Sequence, residues 1–459
     1  MLNYFAPQQI EHSVLSKDLS KLLAAAGMLF FLLLVAVISD SVIWVVPAAV
    51  FAGVFLWLIF ASPFAGLLIL LFLIFSNIFA GLEIPGGFLA AALLVILATV
   101  VQRAWQFDLN FILPKNQLFF VALLLAALLL SIPFSLNQKV SMLKLIVWIK
   151  SIIIYLLVIN LVTSKRRLYW CIAMILTALQ ISFFYGLYIL YQGASAVLQG
   201  QTAYEAITRL IGLSHDPNIY AATLVAFLPV PLFLFFYAET RSQRVGGFLL
   251  FAALVAATIM TFSRGGILSL GLVLLMFVIK KRHYRSVLFI SLIGAVVALF
   301  LIPAEIWDRF SAISNVRGDA SVNERWQLLT NAWRLFLENP LLGIGLGNFQ
   351  DISIQFISRH QPAHNIFLEI AAETGLPGLA VFLGLIWITL RYFEDSRRLF
   401  IQKKRPHLAY LAEALKLGFF GFLISCLFLS LQQDTQFWML FGLAAAMRAI
   451  ADLPEEELI

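Results

Sequence analysis

Charged residues are scarce in this chain. Asp, Glu, Lys and Arg make up 12% of its 459 residues, about half the share that is usual in water-soluble proteins. Hydrophobic residues make up 62%, and the mean hydropathy is +0.95. These values exclude the soluble classes of protein and predict a polytopic membrane protein.

Cysteine and metal-binding patterns are also nearly absent. The chain has 2 cysteines, Cys171 and Cys426, and both lie in apolar runs, so neither a disulfide nor a zinc site is indicated. No Asp-x-Asp pair occurs in the sequence, which argues against a divalent-metal site of that type. The stretch before Leu22 carries Glu11 and Asp18, and no cleavable signal peptide is evident.

Apolar runs fill most of the chain and predict an all-α, polytopic helical membrane protein with about 12–14 transmembrane helices. We interpret residues 1–459 as a single membrane domain, in which the runs 42–60 and 63–80 form either two spans or one re-entrant element. The candidate spans are 22–39, 42–60, 63–80, 88–103, 118–134, 142–163, 169–190, 217–238, 247–263, 265–280, 286–303, 376–392, 409–431 and 436–450.

The net charge of +7 is explained by basic residues in the predicted cytoplasmic loops and does not indicate nucleic-acid binding. With the N-terminus inside, most Lys and Arg fall in the inner loops, whereas the short outer loops hold Lys139, Arg209 and Arg264. Basic loops stay in the cytoplasm. The alternation therefore predicts that both termini are cytoplasmic.

Arg264 is the charged residue of an otherwise apolar run from Gly247 to Ile279. Basic residues flank this run on both sides, so the run is expected to cross the membrane and return, with Ser263–Gly266 as its outer tip. Each arm is close to the minimum length for a membrane span, which holds Arg264 near the outer headgroups. A charge at that level is costly and usually functional.

Two predicted outer loops, 191–216 and 304–376, open on the same face as Arg264. The larger loop contains a helix-like run with an apolar face and with Arg325 and Arg334 on its polar side. We expect an amphipathic helix on the outer membrane face or over the mouth of the bundle, or else a lid that only packs. The residues of the apolar face are Trp326, Leu329, Trp333, Phe336 and Leu337.

A short helix is predicted to begin at His364 and to end at Gly375, before Pro377 opens the next span. Glu369 and Glu373 lie on one face of this helix. The helix N-terminus disfavours a charged imidazole, so His364 is expected to stay neutral and able to accept a proton. A purely structural role is the alternative for such a histidine.

Arg209, Arg264 and His364 thus place two permanent cations and a titratable base on one membrane face. Guanidinium groups bind phosphate oxygens in pairs, and a neutral imidazole deprotonates an attacking hydroxyl. This combination suits a phosphate-bearing lipid substrate.

Four segments carry a resemblance to a known family. Thr261–Gly266, Asn339–Phe349 and the stretch from His364 to Gly378 resemble the signature of the bacterial O-antigen ligase and O-antigen polymerase superfamily. The segment Arg209–Asn218 resembles the preceding outer motif of that family. The resemblance covers roughly residues 200 to 385.

The resemblance implies a GT-C-like membrane enzyme of the bacterial cytoplasmic (inner) membrane that is active on its outer face. Such an enzyme transfers a glycan from undecaprenyl pyrophosphate to a glycan or lipid A-core acceptor, with inversion and without a nucleotide sugar, a cofactor or, in the ligases, a metal. Its partners are these substrates and membrane lipids, and no nucleic acid.

Carried over to this chain, the resemblance makes Arg209 and Arg264 the pyrophosphate-binding arginines and His364 the general base. We expect further polar residues of the outer motifs to bind substrate. These are His215, Arg325, Arg334, Asn365 and Glu369.

Three alternatives stay open. Ligase and polymerase share a donor and differ in the acceptor, so these residues do not separate them. A bicarbonate-like solute transporter of the same superfamily would place ionisable residues within the bilayer, and a non-catalytic scaffold would explain the topology alone. The residues that motivate the transporter are Lys144, Lys150, Glu413 and Lys416.

Overall fold

The computed structural model describes residues 58–77, 87–105, 112, 114–198, 210–212, 216–280, 323–454 and 456. Across these ranges the protein is built from α-helices and contains no strand, which confirms the all-α class. In chain order the helices are α1 (Pro63–Ser76), α2 (Gly87–Trp105), α3 (Lys115–Ser131), α4 (Gln138–Leu161), α5 (Lys165–Leu198), α6 (Pro217–Phe227), α7 (Pro229–Tyr237), α8 (Arg241–Met260), α9 (Arg264–Lys280), α10 (323–338), α11 (Asn348–Ile352), α12 (Ile354–Ile357), α13 (Ile366–Gln402), α14 (Pro406–Ser425) and α15 (Thr435–Asp452).

Six helical segments of the described part are long and apolar enough to cross a membrane, so the polytopic membrane protein is confirmed. The count of about 12–14 spans stays a prediction, because the predicted spans 22–39 and 286–303 lie outside the described residues. The six segments are Gln138–Leu161, Lys165–Gln192, Pro217–Tyr237, Arg241–Met260, Ile366–Gln402 and Pro406–Ser425.

The chain divides into two compact units. The smaller unit comprises Met1–Leu67 and Leu93–Leu109, and the larger unit comprises Leu68–Ala92 and Asn110–Ile459. In the smaller unit Gly66 packs closely on Val95, since a Cβ at Gly66 would lie 3.0 Å from the Val95 side chain. Every candidate site residue that the structure describes belongs to the larger unit.

Helices α13 and α14 form the centre of the larger unit. The first packs against α3, α14 and α15, and the second packs against α6, α7 and α9. Aromatic rings fill the spaces around α15: Phe419 of α14 stacks on Phe437 with ring centroids 5.9 Å apart, and Trp148 of α4 meets Trp438 edge to face at 6.0 Å. Close packing of this kind holds helices together in lipid, where apolar burial alone gives little advantage.

Helix α13 contains a kink at Gly375, whose φ of 69° and ψ of −169° are not helical. The predicted end of the His364 helix at Gly375 is therefore confirmed, although the chain continues directly into the membrane span. The reason is crowding: a Cβ at Gly375 would lie 2.6 Å from the carbonyl carbon of Leu341, and Leu376 N–H bonds the Pro340 carbonyl at 2.7 Å. Only glycine adopts this backbone without strain.

Helix α10 packs through a different face from the one that its aromatic residues predict. Leu328, Ala332 and Leu335 are buried, together with Phe349 and Ala372, in a small core beside α13. Trp326, Trp333 and Leu337 are exposed by 50% or more. The tryptophan face therefore points away from the protein. The prediction of a lid that packs through this face is wrong. The alternative, that this face lies on the membrane, stays a prediction.

Candidate functional site

Arg264 is the first residue of α9, at the predicted tip between two spans. Ser263 begins the helix: its hydroxyl accepts a hydrogen bond from Gly266 N–H at 3.2 Å, and its carbonyl accepts one from Ile267 N–H at 2.8 Å. The side chain of Arg264 is exposed. Its guanidinium therefore extends from the N-terminus of a 17-residue helix, where backbone N–H groups and the helix dipole also favour an anion.

The turn after α14 brings the Arg264 tip and the start of α13 together. A Cβ at Gly265 would lie 3.2 Å from the Phe428 side chain, so the first turn of α9 touches this turn. On the other side, Ile366 N–H bonds the Cys426 carbonyl at 3.0 Å, and the Asn365 amide donates to the Leu427 carbonyl at 3.2 Å. The structure thus places the segments of Arg264 and His364 against adjacent residues of one turn, Cys426–Phe428.

Hydrogen bonds on both sides fix the backbone of His364. Asn365 caps α13, and its side-chain oxygen accepts from Phe367 N–H and Leu368 N–H at 3.0 Å each. Ala363 N–H donates to the Glu369 carboxylate at 2.7 Å. Between these anchors His364 has a φ of 54°, a left-handed conformation that histidine tolerates better than most residues.

The Glu369 side chain is 4% exposed and bonds to the protein through both oxygens. Besides Ala363 N–H, it accepts hydrogen bonds from Ser430 and, at 2.7 Å, from Gln432. A buried carboxylate needs such donors to offset its lost hydration. Glu369 therefore ties the His364 loop to the chain between α14 and α15.

The pKa of His364 is lowered from its ordinary value to about 4. Burial of the imidazole is the main cause, because it disfavours the charged form, and the positive charge of Arg325 is the second. The carboxylate of Asp216 acts in the opposite direction, and Arg359 adds a smaller lowering effect. His364 is therefore neutral at pH 7, as the sequence predicts, but burial and Arg325 are the principal causes.

The charged residues that shift the pKa of His364 also show which of the predicted site residues lie near it. Arg325, on α10, is close enough to act on the imidazole. Arg334 lies about two and a half turns further along α10, on the opposite side of the helix, where it pairs with Glu338 at 2.8 Å. Sequence reasoning gave no role to Arg359, although it precedes His364 in the same loop; it pairs with Glu324.

Arg209 and His215 lie outside the described residues. The residues between them are partly described: Leu210 is buried, and its N–H bonds the Met260 carbonyl at the end of α8 at 2.8 Å. Asp216 caps α6, and its side chain accepts from Asn218 N–H at 2.7 Å. Helix α6 also touches α9, because a Cβ at Gly266 would lie 2.5 Å from Ala221 Cβ.

The glycine-rich segment from Gly343 to Gly347 packs on the kink of α13. Ile344 N–H bonds the Ala372 carbonyl at 2.8 Å, and Gly345 N–H bonds the Glu373 carbonyl at 3.0 Å. The carboxylate of Glu373 accepts from Gly347 N–H and from Phe349 N–H, the latter at 3.2 Å. These backbone groups already have a side-chain acceptor within the protein, so the segment acts as a structural support.

Replacing Gly343 with alanine is expected to destabilise the protein by about 2–4 kcal/mol. The residue has a φ of 67°, and a Cβ would lie 2.3 Å from the Glu373 carbonyl carbon. Gly271→Ala is the matched control, because a Cβ there meets nothing within 4 Å and alanine favours a helix. Thermal unfolding in detergent should separate the two variants, and equal melting temperatures would contradict the close packing of this segment.

Fold and site together define a multi-pass membrane protein in which an exposed arginine and a neutral histidine lie on two segments that contact the same turn. Residues 248–383 match the family described as O-antigen ligase. The resemblance is therefore confirmed for residues 248–383, whose match supports the O-antigen ligase and polymerase superfamily. No curated protein matches the chain.

The matched region extends from α8 to the middle of α13 and includes Arg264, Arg325 and His364, whereas Arg209 and His215 precede it. The match supports an O-antigen ligase-type function in cell-surface glycan biosynthesis and an enzyme that transfers glycosyl groups. Lipid-linked glycans and polysaccharides are its general class of partner.

Proposed function

We propose that this protein transfers a glycan from undecaprenyl pyrophosphate to an acceptor hydroxyl, with inversion and without a metal ion. The observation that carries the proposal is that the segments of Arg264 and His364 contact one turn, Cys426–Phe428. One residue supplies a fixed positive charge at a helix N-terminus, and the other supplies a neutral base. Displacement of a pyrophosphate by a hydroxyl needs both.

Arg264 binds the pyrophosphate of the donor, assisted by the N-terminus of α9. Arg209 supplies the second guanidinium. As the acceptor oxygen forms its bond to the anomeric carbon, the bond from that carbon to the pyrophosphate oxygen breaks. Undecaprenyl pyrophosphate leaves with the electron pair, and the arginines stabilise its negative charge in place of a metal.

His364 takes the proton of the acceptor hydroxyl. The imidazolium that forms is stabilised by Asp216, whose charge already acts on this ring, and by the departing pyrophosphate. Asn365 and Glu369 act as positioning residues, because their side chains bond the backbone on either side of His364. Arg325, Arg334 and His215 complete the predicted contacts to the glycan or the acceptor.

The proposed location is the bacterial inner membrane, with both termini cytoplasmic and the site on the outer face. The acceptor is a lipid A-core, another lipid-linked glycan or a protein hydroxyl. The residues that suggested a transporter all have polar neighbours within the protein, which suits structural roles. These neighbours are Gln350 for Lys144, Asp434 for Lys150, Glu394 for Lys416 and Lys280 for Glu413.

Purified protein in detergent should release undecaprenyl pyrophosphate from an undecaprenyl-pyrophosphoryl glycan in the presence of acceptor and excess EDTA. A ladder of products would identify a polymerase, and a single addition to an acceptor without the lipid carrier would identify a ligase. The His364→Ala protein is the matched negative control. A loss of activity in EDTA that one specific metal restores would overturn the arginine-only site.

A further inference from the structure

A groove lies between the second half of α13 and the middle of α14. Its volume is about 260 Å³. The end nearer the candidate site is apolar, and the far end is charged, because α13 runs from Trp387 toward Glu394 and α14 runs from Lys416 toward Phe420. The lining residues are Trp387, Leu390, Arg391, Glu394, Lys416 and Phe420.

Positive charge exceeds negative charge at the far end of the groove. The Glu394 carboxylate accepts hydrogen bonds from Arg397 at 2.8 Å, from Arg398 at 3.0 Å and from Lys416. One carboxylate is therefore shared among three cations. Arg391 adds a fourth cation beside this network.

Arg391 is held by an aromatic contact. The central carbon of its guanidinium lies 5.2 Å from the centre of the Trp387 ring, and its side chain is exposed. A cation–π contact uses the face of the guanidinium, so the N–H groups along its edge stay directed outward. These groups form the fork that binds phosphate oxygens.

We propose that this groove binds an anionic phospholipid of the membrane leaflet opposite the candidate site. The phosphate lies between Arg391 and Lys416, and an acyl chain follows Leu390 and Phe420 into the bilayer. Leu383 and Trp387, exposed by 45% and 53%, continue the apolar track on the same face of α13. Basic pockets between transmembrane helices on the cytoplasmic side suit such headgroups, and the basic residues predict that this end is cytoplasmic.

The binding site is separate from the transfer site. Helix α9 extends about 25 Å from Arg264 to Lys280, and Lys280 pairs with Glu413 of α14 at 3.7 Å. The groove residue Lys416 lies about one turn from Glu413 on α14, so the groove lies near the end of α9 that is distant from Arg264. Binding of the phospholipid in this groove therefore does not depend on the proposed glycan transfer.

Native mass spectrometry of the full chain in detergent tests the proposal by measuring the affinity for the first bound lipid. Phosphatidylglycerol should bind more tightly than phosphatidylcholine with the same acyl chains. Arg391→Gln should weaken phosphatidylglycerol binding about fivefold, the effect of losing about 1 kcal/mol, and should leave phosphatidylcholine unchanged. Arg391→Lys keeps the charge but loses the fork of N–H groups, so it should bind phosphatidylglycerol more weakly than wild type and more tightly than Arg391→Gln.

Arg241→Gln is the matched control, because it removes an equal charge from an exposed position at the start of α8 and should leave both lipids unaffected. Thermal unfolding of each variant checks that it is folded. Equal binding of the two lipids by wild type, or equal losses in Arg391→Gln and Arg241→Gln, would overturn the proposal. Displacement of phosphatidylglycerol by equimolar glycerol phosphate would identify a free phosphate site and would also overturn it.

Discussion

Arg264→Ala is expected to reduce glycan transfer about 30- to 1000-fold, because it removes one charge-assisted contact worth about 2–4 kcal/mol in the transition state. Folding should be preserved, since the side chain is exposed and α9 begins through Ser263 rather than through Arg264. The measurement is the initial rate at saturating undecaprenyl-pyrophosphoryl glycan, together with the melting temperature in detergent. Arg209→Ala should lower the rate by a similar factor.

Two further variants separate phosphate binding from charge alone. Arg264→Lys keeps the charge but loses the paired N–H groups, so it should restore only a small part of the activity. Arg241→Ala removes a positive charge from the start of α8 and should be as active as wild type. Near-wild-type turnover in both Arg264→Ala and Arg209→Ala would show that these arginines do not stabilise the leaving pyrophosphate.

The location of Arg264 could be predicted because the distribution of Lys and Arg along the chain indicates which loops are cytoplasmic. Basic residues at both ends of one apolar run require a return, and the return falls at the polar residues in the middle. The structure has α8 ending at Met260 and α9 beginning at Arg264. The break at Gly375 was equally accessible, because glycine ends a helix there. The predicted start at His364 was two residues early, since Asn365 caps α13 and Ile366 is its first residue.

The packing of α10 could not be predicted from its pattern, because this helix carries two apolar stripes. Trp326 and Trp333 form the more conspicuous stripe, but Leu328 and Ala332 form the one that is buried. Size and aromaticity predicted the wrong packing face. Which stripe meets the protein depends on the position of α13, and this position comes from contacts that are distant in the sequence.

Long-range contacts also explain why the role of Glu369 was missed. Spacing places Glu369 on one face with Glu373, and the sequence analysis expects Glu369 to bind substrate. In the structure Glu369 bonds Ser430 and Gln432, which lie about 60 residues later in the chain. Nothing local in the sequence connects these residues. The lowered pKa of His364 likewise depends on Arg325 and on burial, and only the fold provides both.

His364→Ala is expected to abolish measurable transfer while donor binding stays within a few-fold of wild type, because the arginines hold the donor and the histidine moves the proton. General-base catalysis contributes about 10²–10⁴-fold in rate. Donor binding and single-turnover rates should be measured on the same preparation. Lost binding with unchanged chemistry per bound donor would make His364 a donor ligand, and full activity would leave it a structural role.

The pH profile identifies the group more specifically. The pKa of His364 is lowered to about 4 in the free protein, so kcat/KM should stay level from pH 8 down to about 5.5 and fall as the pH approaches 4. Bound pyrophosphate raises the pKa of this imidazole, so kcat should begin to fall at a higher pH than kcat/KM.

Arg325→Gln removes a positive charge that lowers the pKa of His364, and the fall in kcat/KM should therefore move to higher pH. Arg334→Gln is the matched control on the opposite side of α10, where Arg334 pairs with Glu338, and it should leave the midpoint unchanged. This comparison separates a base from a structural residue, because a structural role gives no reason for the midpoint to follow the charge of Arg325. Equal midpoints in wild type and both variants, with chemistry limiting the rate, would rule out His364 as the base.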